Sequence, residues 1–386
     1  MRVLVLGCGE MGETAVLDLY KNGAFDEITV ATRTPGKAAH VLKTLEGRAR
    51  RLDVQPLTIG EGSSLVELMR PFDVVVNCVG PNYKYEVVIA RAAIEAGISL
   101  IDINDDPDAT LQMFELDEAA RRAGVLLVLG LGASPGVNNV LVRAATDQLD
   151  EVEEIHTAWV MAASDPGGVA LSYHLLHSLS GRALTVENGR LVEVESFVDG
   201  RETVEFPEPV GPLEVFHVGH PEPITLLRTY PGLVTADDKA SFNLPVVNSW
   251  IRNLGAMARE APSPVLVDGR TVDPMDFAAN YLHQRCKALV DFPREGALRV
   301  HVRGRKGRRR RDVFFSSAGL IAQGTGIPAS IGASMLVEGG VQGKGVLPPE
   351  ACVDPQEFIY QMLTRRNVAK LNGWSEESPW AEAATA

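Results

Sequence analysis

Cysteine is scarce in this chain of 386 residues, and its four cysteines lie far apart without a CxxC pair. Such spacing argues against a disulfide framework. Two of the four fall inside apolar runs that look like strands. We therefore predict that Cys8, Cys78, Cys286 and Cys352 are reduced thiols of a cytoplasmic protein.

Long apolar runs are also missing. No run approaches the ~20 residues that a membrane span needs. The N-terminus carries one basic residue before a short apolar run and then glycines, which is not the pattern of a signal peptide. These absences predict a soluble protein that does not bind membranes.

Positive charge is outnumbered, with 37 Lys and Arg against 50 Asp and Glu and a net charge of −13. This balance argues against a nucleic-acid partner. The run RGRKGRRRRD is a local exception, but its flanks alternate like two strands, and Gly304 and Gly307 indicate a turn between them. We interpret the run as the solvated tip of a hairpin rather than a nucleic-acid patch.

Continuous Val, Leu and Ile runs alternate with helical patterns through the first third of the chain, as in residues 3–6 and 74–78. Such runs are typical of strands buried on both faces of a parallel sheet. The fold class is therefore predicted to be α/β, with a Rossmann-type doubly wound parallel sheet in residues 1–133.

The pattern becomes β-rich from about residue 151, with helical stretches between the strands. It predicts a second, α+β domain with a mixed or antiparallel sheet, which we assign to residues 134–318 and to substrate binding and dimerisation. Residues 319–386 are predicted to form a helical segment that returns to the Rossmann domain, with a disordered tail from about residue 375.

The stretch VLVLGCGEMGETAV places Gly7, Gly9 and Gly12 in a GxGxxG motif directly after the first strand and at the head of a helix. The first glycine permits a tight turn, and the second lets the backbone approach a pyrophosphate. The third lets the helix pack on the strand, so that the helix N-terminus faces the phosphates. Inside a strand–helix–strand unit, this motif predicts a dinucleotide site.

The second strand, ITVATRT, places Thr32 and Arg33 where an acidic residue would bind the ribose 2′-hydroxyl of NAD. A hydroxyl and a guanidinium suit a 2′-phosphate instead. Lys37, one turn into the next predicted helix, could add to that site. We therefore predict that NADP(H) is preferred, with NAD(H) possible. The alternative, that Arg33 is only a solvent-exposed residue at the end of the strand, stays open.

With these segments in order, nearly the whole chain resembles the saccharopine dehydrogenase-like (saccharopine reductase-type) oxidoreductases. The similar segments are VLVLGCGEMG, VATRT, VVVNCVGPNYKYEVVIARAAIEAGISLIDIND, VLGLGASPGVNNVLV and GTGIPASIGASMLVEGG. The resemblance implies NAD(P)(H)-dependent hydride transfer at a C–N (amine or imine) bond of an amino-acid-derived substrate, and by analogy a homodimer. The segment WVMAASDPGGVALSY departs from the saccharopine reductase pattern, so saccharopine itself is not predicted to be the substrate.

Two other functions stay open at this stage. One is a deaminating dehydrogenase similar to lysine 6-dehydrogenase, which Arg33 disfavours if that activity uses NAD. The other is a non-catalytic NAD(P)-binding protein. Titratable groups in the cleft would favour an enzyme over such a binding protein.

Histidine is the first candidate for proton transfer because its pKa lies near neutrality. His174 and His177 lie three residues apart, on one face if their stretch is helical, and the resemblance implies that this stretch faces the nicotinamide. No acidic or cysteine ligand accompanies the two histidines, so no metal is predicted. His217 and His220 form a second pair that could line the same cleft.

Asp102 ends a buried strand, and strand ends of this kind lie over the cofactor crevice. We predict that Asp102 is catalytic or contacts the cofactor, whereas Asp105 and Asp106 better fit a helix cap or a loop closure. Tyr83 and Arg228 are the predicted substrate contacts, Arg228 because an arginine commonly binds a carboxylate. The predicted cofactor contacts are Gly7, Gly9, Glu10, Met11, Gly12, Thr32, Arg33, Lys37, Cys78, Val79, Gly80, Pro81 and Asp102.

Overall fold

The computed structural model describes residues 1–36, 38–39, 45, 50–59, 64–165, 167–260, 264–365 and 371–379. Two large sheets, one of seven strands and one of nine, organise this part of the chain. Among the described helices, none combines the length and the hydropathy that crossing a bilayer requires.

Six strands and six helices follow one another in the described residues up to residue 146. The elements are β1 (Arg2–Leu6), α1 (Glu10–Asn22), β2 (Glu27–Thr32), β3 (Arg51–Pro56), α2 (Ser64–Met69), β4 (Val74–Asn77), α3 (Asn82–Ala96), β5 (Leu100–Asp102), α4 (Pro107–Phe114), α5 (Asp117–Ala123), β6 (Leu126–Val128) and α6 (Val137–Thr146).

The middle of the chain is richer in strands. The elements are β7 (Glu151–Met161), α7 (Val169–Ser178), β8 (Arg182–Glu187), β9 (Arg190–Glu195), β10 (Glu202–Glu205), β11 (Pro212–His217), α8 (Glu222–Thr229), β12 (Thr235–Phe242), α9 (Val246–Glu260), β13 (Val265–Val267), β14 (Arg270–Val272), α10 (Pro274–Lys287), β15 (Gly296–Lys306) and β16 (Arg309–Gly319). The last elements are α11 (Ile321–Glu338), β17 (Gly345–Leu347), α12 (Pro349–Cys352), α13 (Pro355–Thr364) and β18 (Leu371–Pro379).

The first sheet has the strand order β17-β6-β5-β4-β1-β2-β3, and all of its pairs are parallel. Side chains of β1 alternate between two cores: Val3 and Val5 pack on one face, and Leu4 and Leu6 pack on the other. Burial on both faces explains why the strand reads as an uninterrupted apolar run. The predicted Rossmann-type α/β fold is confirmed.

The second sheet is mixed. Its strand β7 pairs in parallel with β12 and antiparallel with β15, and β15 pairs antiparallel with β16. The basic run lies at the tip of the β15–β16 hairpin, as predicted. Acidic groups pair with it: Lys306 Nζ lies 2.9 Å from Asp150 Oδ1, and Arg309 Nη1 lies 3.0 Å from Glu377 Oε2.

The C-terminal part returns to the first sheet. Helix α11 packs so closely on α1 that a Cβ atom on Gly326 would lie 2.4 Å from the carbonyl oxygen of Met11. Strand β17 adds to the edge of the sheet beside β6.

Strand β18 corrects the prediction of a disordered tail from about residue 375. It pairs antiparallel with β16 as far as Pro379, and its Trp374 ring stacks on the Phe314 ring with 5.0 Å between centroids. Trp374, directly before the acidic, small-residue tail, thus finds an aromatic partner on the neighbouring strand. Residues 380–386 lie outside the described residues.

Candidate active site

A cleft of about 210 Å³ lies between the two sheets, at the carboxyl ends of the strands of the first sheet. One wall consists of the segments that follow β1, β4, β5 and β6. The other wall comes from β7, β15, β16 and the start of α11. Parallel strands bring their following loops to one edge, and ligands of such sheets bind in the crevice at that edge.

The glycine loop after β1 has the shape that a dinucleotide requires. Gly7 has a φ of +85°, and a Cβ there would lie 2.7 Å from the Cys78 carbonyl oxygen, while a Cβ on Gly12 would lie 2.2 Å from the Gly7 carbonyl oxygen. A Cβ on Gly9 would meet nothing within 4 Å. The chain itself thus fills the space at Gly7 and Gly12 but leaves the space over Gly9 open, which fits a pyrophosphate at the N-terminus of α1.

Other predicted cofactor contacts divide between the cleft and its surroundings. Gly9, Glu10, Met11, Gly12, Cys78, Val79, Gly80 and Pro81 line the cleft. Burial raises the pKa of the Cys78 thiol to about 12, so this thiol is protonated near neutral pH and is not a nucleophile.

Thr32 and Arg33 lie at the carboxyl end of β2, next to the glycine loop, where the Gly7 amide donates to the Ala31 carbonyl at 2.8 Å. Thr32 is buried and Arg33 is exposed, so the guanidinium faces solvent beside the loop. Neither residue lines the cleft itself. Lys37 lies outside the described residues.

His174 is almost fully buried on α7 and lines the cleft. Its Nδ1 lies 2.8 Å from Asp106 Oδ1 and 3.1 Å from Asp105 Oδ1. Burial by itself lowers the pKa of His174, but the charges of Asp105 and Asp106 outweigh burial and raise it to about 9. Among the described residues, Nε2 of His174 has no hydrogen-bond partner. This nitrogen can therefore exchange a proton with a substrate in the cleft.

His220 lies beside His174, with 5.5 Å between the ring centroids, and also lines the cleft. Its Nδ1 lies 2.9 Å from Glu222 Oε2. Asp238 completes this buried group and accepts a 2.8 Å hydrogen bond from Trp159 Nε1. By contrast, His217 does not line the cleft.

The fold also changes the argument about a metal. Asp105, His174 and His220 each offer one ligand atom, and these atoms lie within 4.8 Å of one another, a spacing that a metal ion could use. No metal was predicted from the sequence because no third ligand accompanies the two histidines of α7 along the chain. Asp105 supplies one from a different segment, although the proton transfer described here requires no metal.

One cation stands at the edge of the cleft. Arg294, in the loop before β15, donates from Nη2 to Asp165 Oδ1 at 3.0 Å, and both residues line the cleft. The Arg294 side chain is 62% exposed, so part of its guanidinium is open to a ligand. A substrate carboxylate could bind there.

Asp102, predicted to be catalytic or to contact the cofactor, does not line the cleft. Its side chain is fully buried, and Oδ1 accepts hydrogen bonds from the amides of Asn104 at 2.8 Å and Gly130 at 2.6 Å. The carboxylate faces the protein interior because the chain turns back over it after β5.

His177, predicted to be catalytic, and Tyr83, predicted to bind substrate, lie together outside the lining of the cleft. Their rings stack with centroids 3.8 Å apart, and His177 Nε2 lies 2.9 Å from Asp108 Oδ2. Neither side chain lines the cleft. Both residues contribute to the packing of α7 on the start of α3.

Arg228, predicted to bind a substrate carboxylate, also lies outside the lining of the cleft. Its guanidinium stacks 4.5 Å from the centre of the Phe114 ring, and its Nη2 lies 3.9 Å from Asp117 Oδ2. Helix α8 points this side chain at α4 and α5.

Comparison with known protein families shows to which family the chain belongs. A family model described as "Saccharopine dehydrogenase NADP binding domain" matches residues 3–128, and one described as "Saccharopine dehydrogenase C-terminal domain" matches residues 132–368. The chain belongs to the saccharopine dehydrogenase family. The resemblance inferred from the sequence motifs is confirmed, and the chain is a saccharopine dehydrogenase-like oxidoreductase.

Relatives within this family match different lengths of the chain. A carboxyaminopropylagmatine dehydrogenase of Synechocystis is 22% identical over 94% of this chain and 95% of its own length. A saccharopine dehydrogenase [NADP(+), L-glutamate-forming] of Schizosaccharomyces pombe is 25% identical over 54% of this chain and 46% of its own length. A solved structure of a C. glutamicum DAP dehydrogenase in complex with DAP covers 95% of this chain and 99% of its own, at 14% identity and a TM-score of 0.45.

Proposed function

We propose that this member of the saccharopine dehydrogenase family is an NADP(H)-dependent oxidoreductase acting on a CH–NH or CH–NH₂ group of an amino-acid-derived substrate. One observation carries the proposal: the same cleft contains a glycine loop with open space over Gly9 and a histidine, His174, that is held by two carboxylates. The names of the two relatives, a carboxyaminopropylagmatine and a saccharopine dehydrogenase, support the substrate class.

The cofactor would lie along the glycine loop and the segment after β4. When bound, a nicotinamide supplies or accepts a hydride. The N-terminus of α1 and the open space over Gly9 would hold the pyrophosphate, and Arg33 would bind a 2′-phosphate at the end of β2. Val79, Gly80 and Pro81 would support the nicotinamide end, where they line the cleft.

The substrate would lie between Arg294 and His174. Arg294 would bind a carboxylate of the substrate. In the reductive direction, His174 would hold a proton at Nε2 and give it to the substrate nitrogen, while Asp106 holds the opposite ring nitrogen and stabilises the cation. Trp159, Met161 and Leu298 line the facing wall and would exclude water from the reacting atoms.

Product analysis tests this function directly. Purified protein is mixed with NADPH, a set of 2-oxo acids and a set of primary amines, and the products are identified by mass spectrometry. We expect NADPH consumption that requires both an acid and an amine, with a secondary amine containing both as the product. Release of ammonia from an amine with NAD⁺ would favour a deaminating dehydrogenase instead, and no turnover despite NADPH binding would favour a non-catalytic protein.

Replacement of Arg33 by alanine tests the preference between cofactors. The variant is expected to bind NADPH about tenfold more weakly, since it loses a charge-assisted contact with the 2′-phosphate, and to bind NADH with unchanged affinity. Calorimetric titration of both cofactors measures the two effects. Arg51→Ala is the matched control, because Arg51 is an exposed arginine at the opposite end of the neighbouring strand. Equal loss for both cofactors would contradict the assignment of Arg33.

We further propose that the protein acts as a homodimer in the cytoplasm. The four cysteines are free thiols, as in a reducing compartment. Large apolar side chains are exposed on the hairpin and helix of residues 265–287, with Leu266 75%, Phe277 58% and Tyr281 47% exposed, and a second copy could cover them. Sedimentation equilibrium would give the oligomeric state.

A further inference from the structure

Two buried carboxyl groups lie on neighbouring segments beneath the cleft, and the proposed reaction uses neither. Glu86 lies on α3 and Asp102 ends β5, and both are fully buried. Asn77 lies beside both of them, because it pairs in register with Asp102 and its side-chain amide donates to Glu86. Oε1 of Glu86 and Oδ2 of Asp102 are buried and have no hydrogen-bond partner in the part of the chain that the structure describes.

The outer oxygens of this pair connect to two segments that line the cleft. Oε2 of Glu86 accepts from Asn77 Nδ2 at 2.9 Å, and Oδ1 of Asn77 accepts from the Val79 amide at 3.1 Å. On the other side, Asp102 Oδ1 accepts from the Gly130 amide at 2.6 Å. Each carboxyl group thus holds one cleft segment, and a proton shared between Oε1 of Glu86 and Oδ2 of Asp102 would join the Cys78–Pro81 segment to the Gly130–Pro135 turn.

We propose that Glu86 and Asp102 share one proton, which Glu86 donates to Asp102, and that this bond positions both cleft segments against the cofactor. The inference rests on the proposed function, because the cofactor site is the one these segments line. Glu86 and Asp102 are positioning residues. Neither touches the reacting atoms.

The number of hydrogen-bond donors to each carboxyl group decides which residue holds the proton. Asp102 Oδ1 accepts from two amides, those of Asn104 and Gly130, which favours its ionised form, while Glu86 accepts from a single side-chain amide. The titratable groups that face the pair are Asp105, Asp106, Cys78 and, beyond Cys78, Cys8. Among the described residues, no lysine or arginine faces it. Two ionised carboxylates would thus repel each other in a buried site without a compensating cation.

Burial raises the pKa of Glu86 well above its usual range and raises the pKa of Asp102 to about 7, and the two titrate as a pair. The geometry and these directions agree that the pair keeps a proton at neutral pH. Loss of that proton at higher pH would separate the two side chains and shift both cleft segments.

A double-mutant cycle tests the shared proton. In Glu86→Gln the amide oxygen can accept from Asn77 and the amide nitrogen can donate to Asp102, and in Asp102→Asn the new amide can donate to an ionised Glu86. Each single variant therefore keeps one donor and one acceptor across the contact. In the double variant two amide nitrogens face each other, so a donor meets a donor. We expect each single variant to weaken NADPH binding by less than threefold and the double variant to weaken it by at least tenfold.

The NADPH dissociation constant is also measured as a function of pH, because a purely structural role of Glu86 would not change its pH dependence. Wild-type protein is expected to bind NADPH more weakly as pH rises and the pair loses its proton, and Glu86→Gln is expected to lose that part of the profile, because an amide does not titrate. The difference between the two profiles removes the contribution of His174, which both proteins share. Thermal unfolding confirms that all four proteins are folded.

Additive or improved binding in the double variant would overturn the shared proton, as would identical pH profiles for wild type and Glu86→Gln. These results differ from failure of the proposed function, which would appear as no NADPH binding by the wild-type protein at any pH. Should a single variant unfold, its partner variant and the wild-type profile still test the proposal.

Discussion

His174→Gln is expected to lower kcat about 10²- to 10⁴-fold, the range for loss of a general acid, while the dissociation constant for NADPH changes less than threefold. The expectation follows from the place of His174 in the lining of the cleft, with Nδ1 held by Asp105 and Asp106 and Nε2 without a hydrogen-bond partner among the described residues. Glutamine preserves much of the volume and a hydrogen bond to Asp106 but cannot deliver a proton. Steady-state rates with the amine and 2-oxo acid mixtures, together with calorimetric titration of NADPH, measure both quantities.

His177→Gln is the matched control for that experiment. His177 lies one helical turn after His174 on α7, but its ring stacks on Tyr83 outside the cleft. Its replacement is expected to leave kcat within about twofold. A large loss of kcat in His177→Gln with little loss in His174→Gln would reverse the assignment and restore the simpler sequence prediction that both histidines are catalytic.

The pH dependence of the reductive rate follows from the same contacts. Burial lowers the pKa of His174, and the two neighbouring carboxylates raise it to about 9, so the ring is protonated below that pH. The rate should therefore be high below about pH 9 and fall above it as the acid is lost. For stability, the raised pKa gives a contribution that is complete below the pKa of a free histidine, about 6.5, and is lost as pH rises through about 9. A reductive rate that rises with pH from 8 to 10 on the order of tenfold would contradict His174 as the acid.

Gly9→Ala and Gly12→Ala each add one methyl group to the same loop, but they are expected to differ in their effects on stability and on NADPH binding. A Cβ on Gly9 would meet nothing within 4 Å, whereas a Cβ on Gly12 would lie 2.2 Å from the Gly7 carbonyl oxygen. Gly9→Ala should therefore keep its melting temperature but bind NADPH at least tenfold more weakly, since the methyl group occupies the space of the pyrophosphate. Gly12→Ala should lose about 1–3 kcal/mol of unfolding free energy from overpacking and also lose cofactor binding.

Thermal unfolding and calorimetry on the two variants separate these effects. The comparison is informative because Gly9→Ala reports on the ligand while Gly12→Ala reports on the chain. Wild-type NADPH affinity in Gly9→Ala would show that the dinucleotide does not approach this part of the loop. Unchanged stability in Gly12→Ala would contradict the tight contact between α1 and the Gly7 carbonyl.

Local sequence signals were sufficient for the parts of the fold that depend on local order. The apolar run of residues 3–6 and the glycines after it predicted the first strand, the loop and α1, because period, turn and helix start all lie within about a dozen residues. The basic run predicted a hairpin for the same reason. The tail was harder, since Trp374 has a partner, Phe314, that is distant in sequence.

Which residues of the second sheet and of the acidic segment after β5 line the cleft depends on long-range packing, which local sequence does not reveal. Asp102, Asp105 and Asp106 follow one another within five positions, and only the direction of the chain after β5 decides that Asp102 points inward while the other two meet His174. The adjacent acidic pair in IDINDDPD, close to a strand end, was a usable signal that the helix-cap interpretation obscured. Arg294 and Trp159 carried no such signal, because each enters the cleft from a strand or loop of the second sheet.

The central claim is that this chain binds NADP(H) in the cleft, and the most direct measurement is a calorimetric titration of the wild-type protein with NADPH and with NADH. We predict binding of both, with NADPH at least tenfold tighter, equal to about 1.4 kcal/mol. Equal or tighter binding of NADH would contradict the role of Arg33 and favour a deaminating dehydrogenase. Binding of neither would contradict the assignment of the glycine loop to a cofactor and with it the proposed reaction.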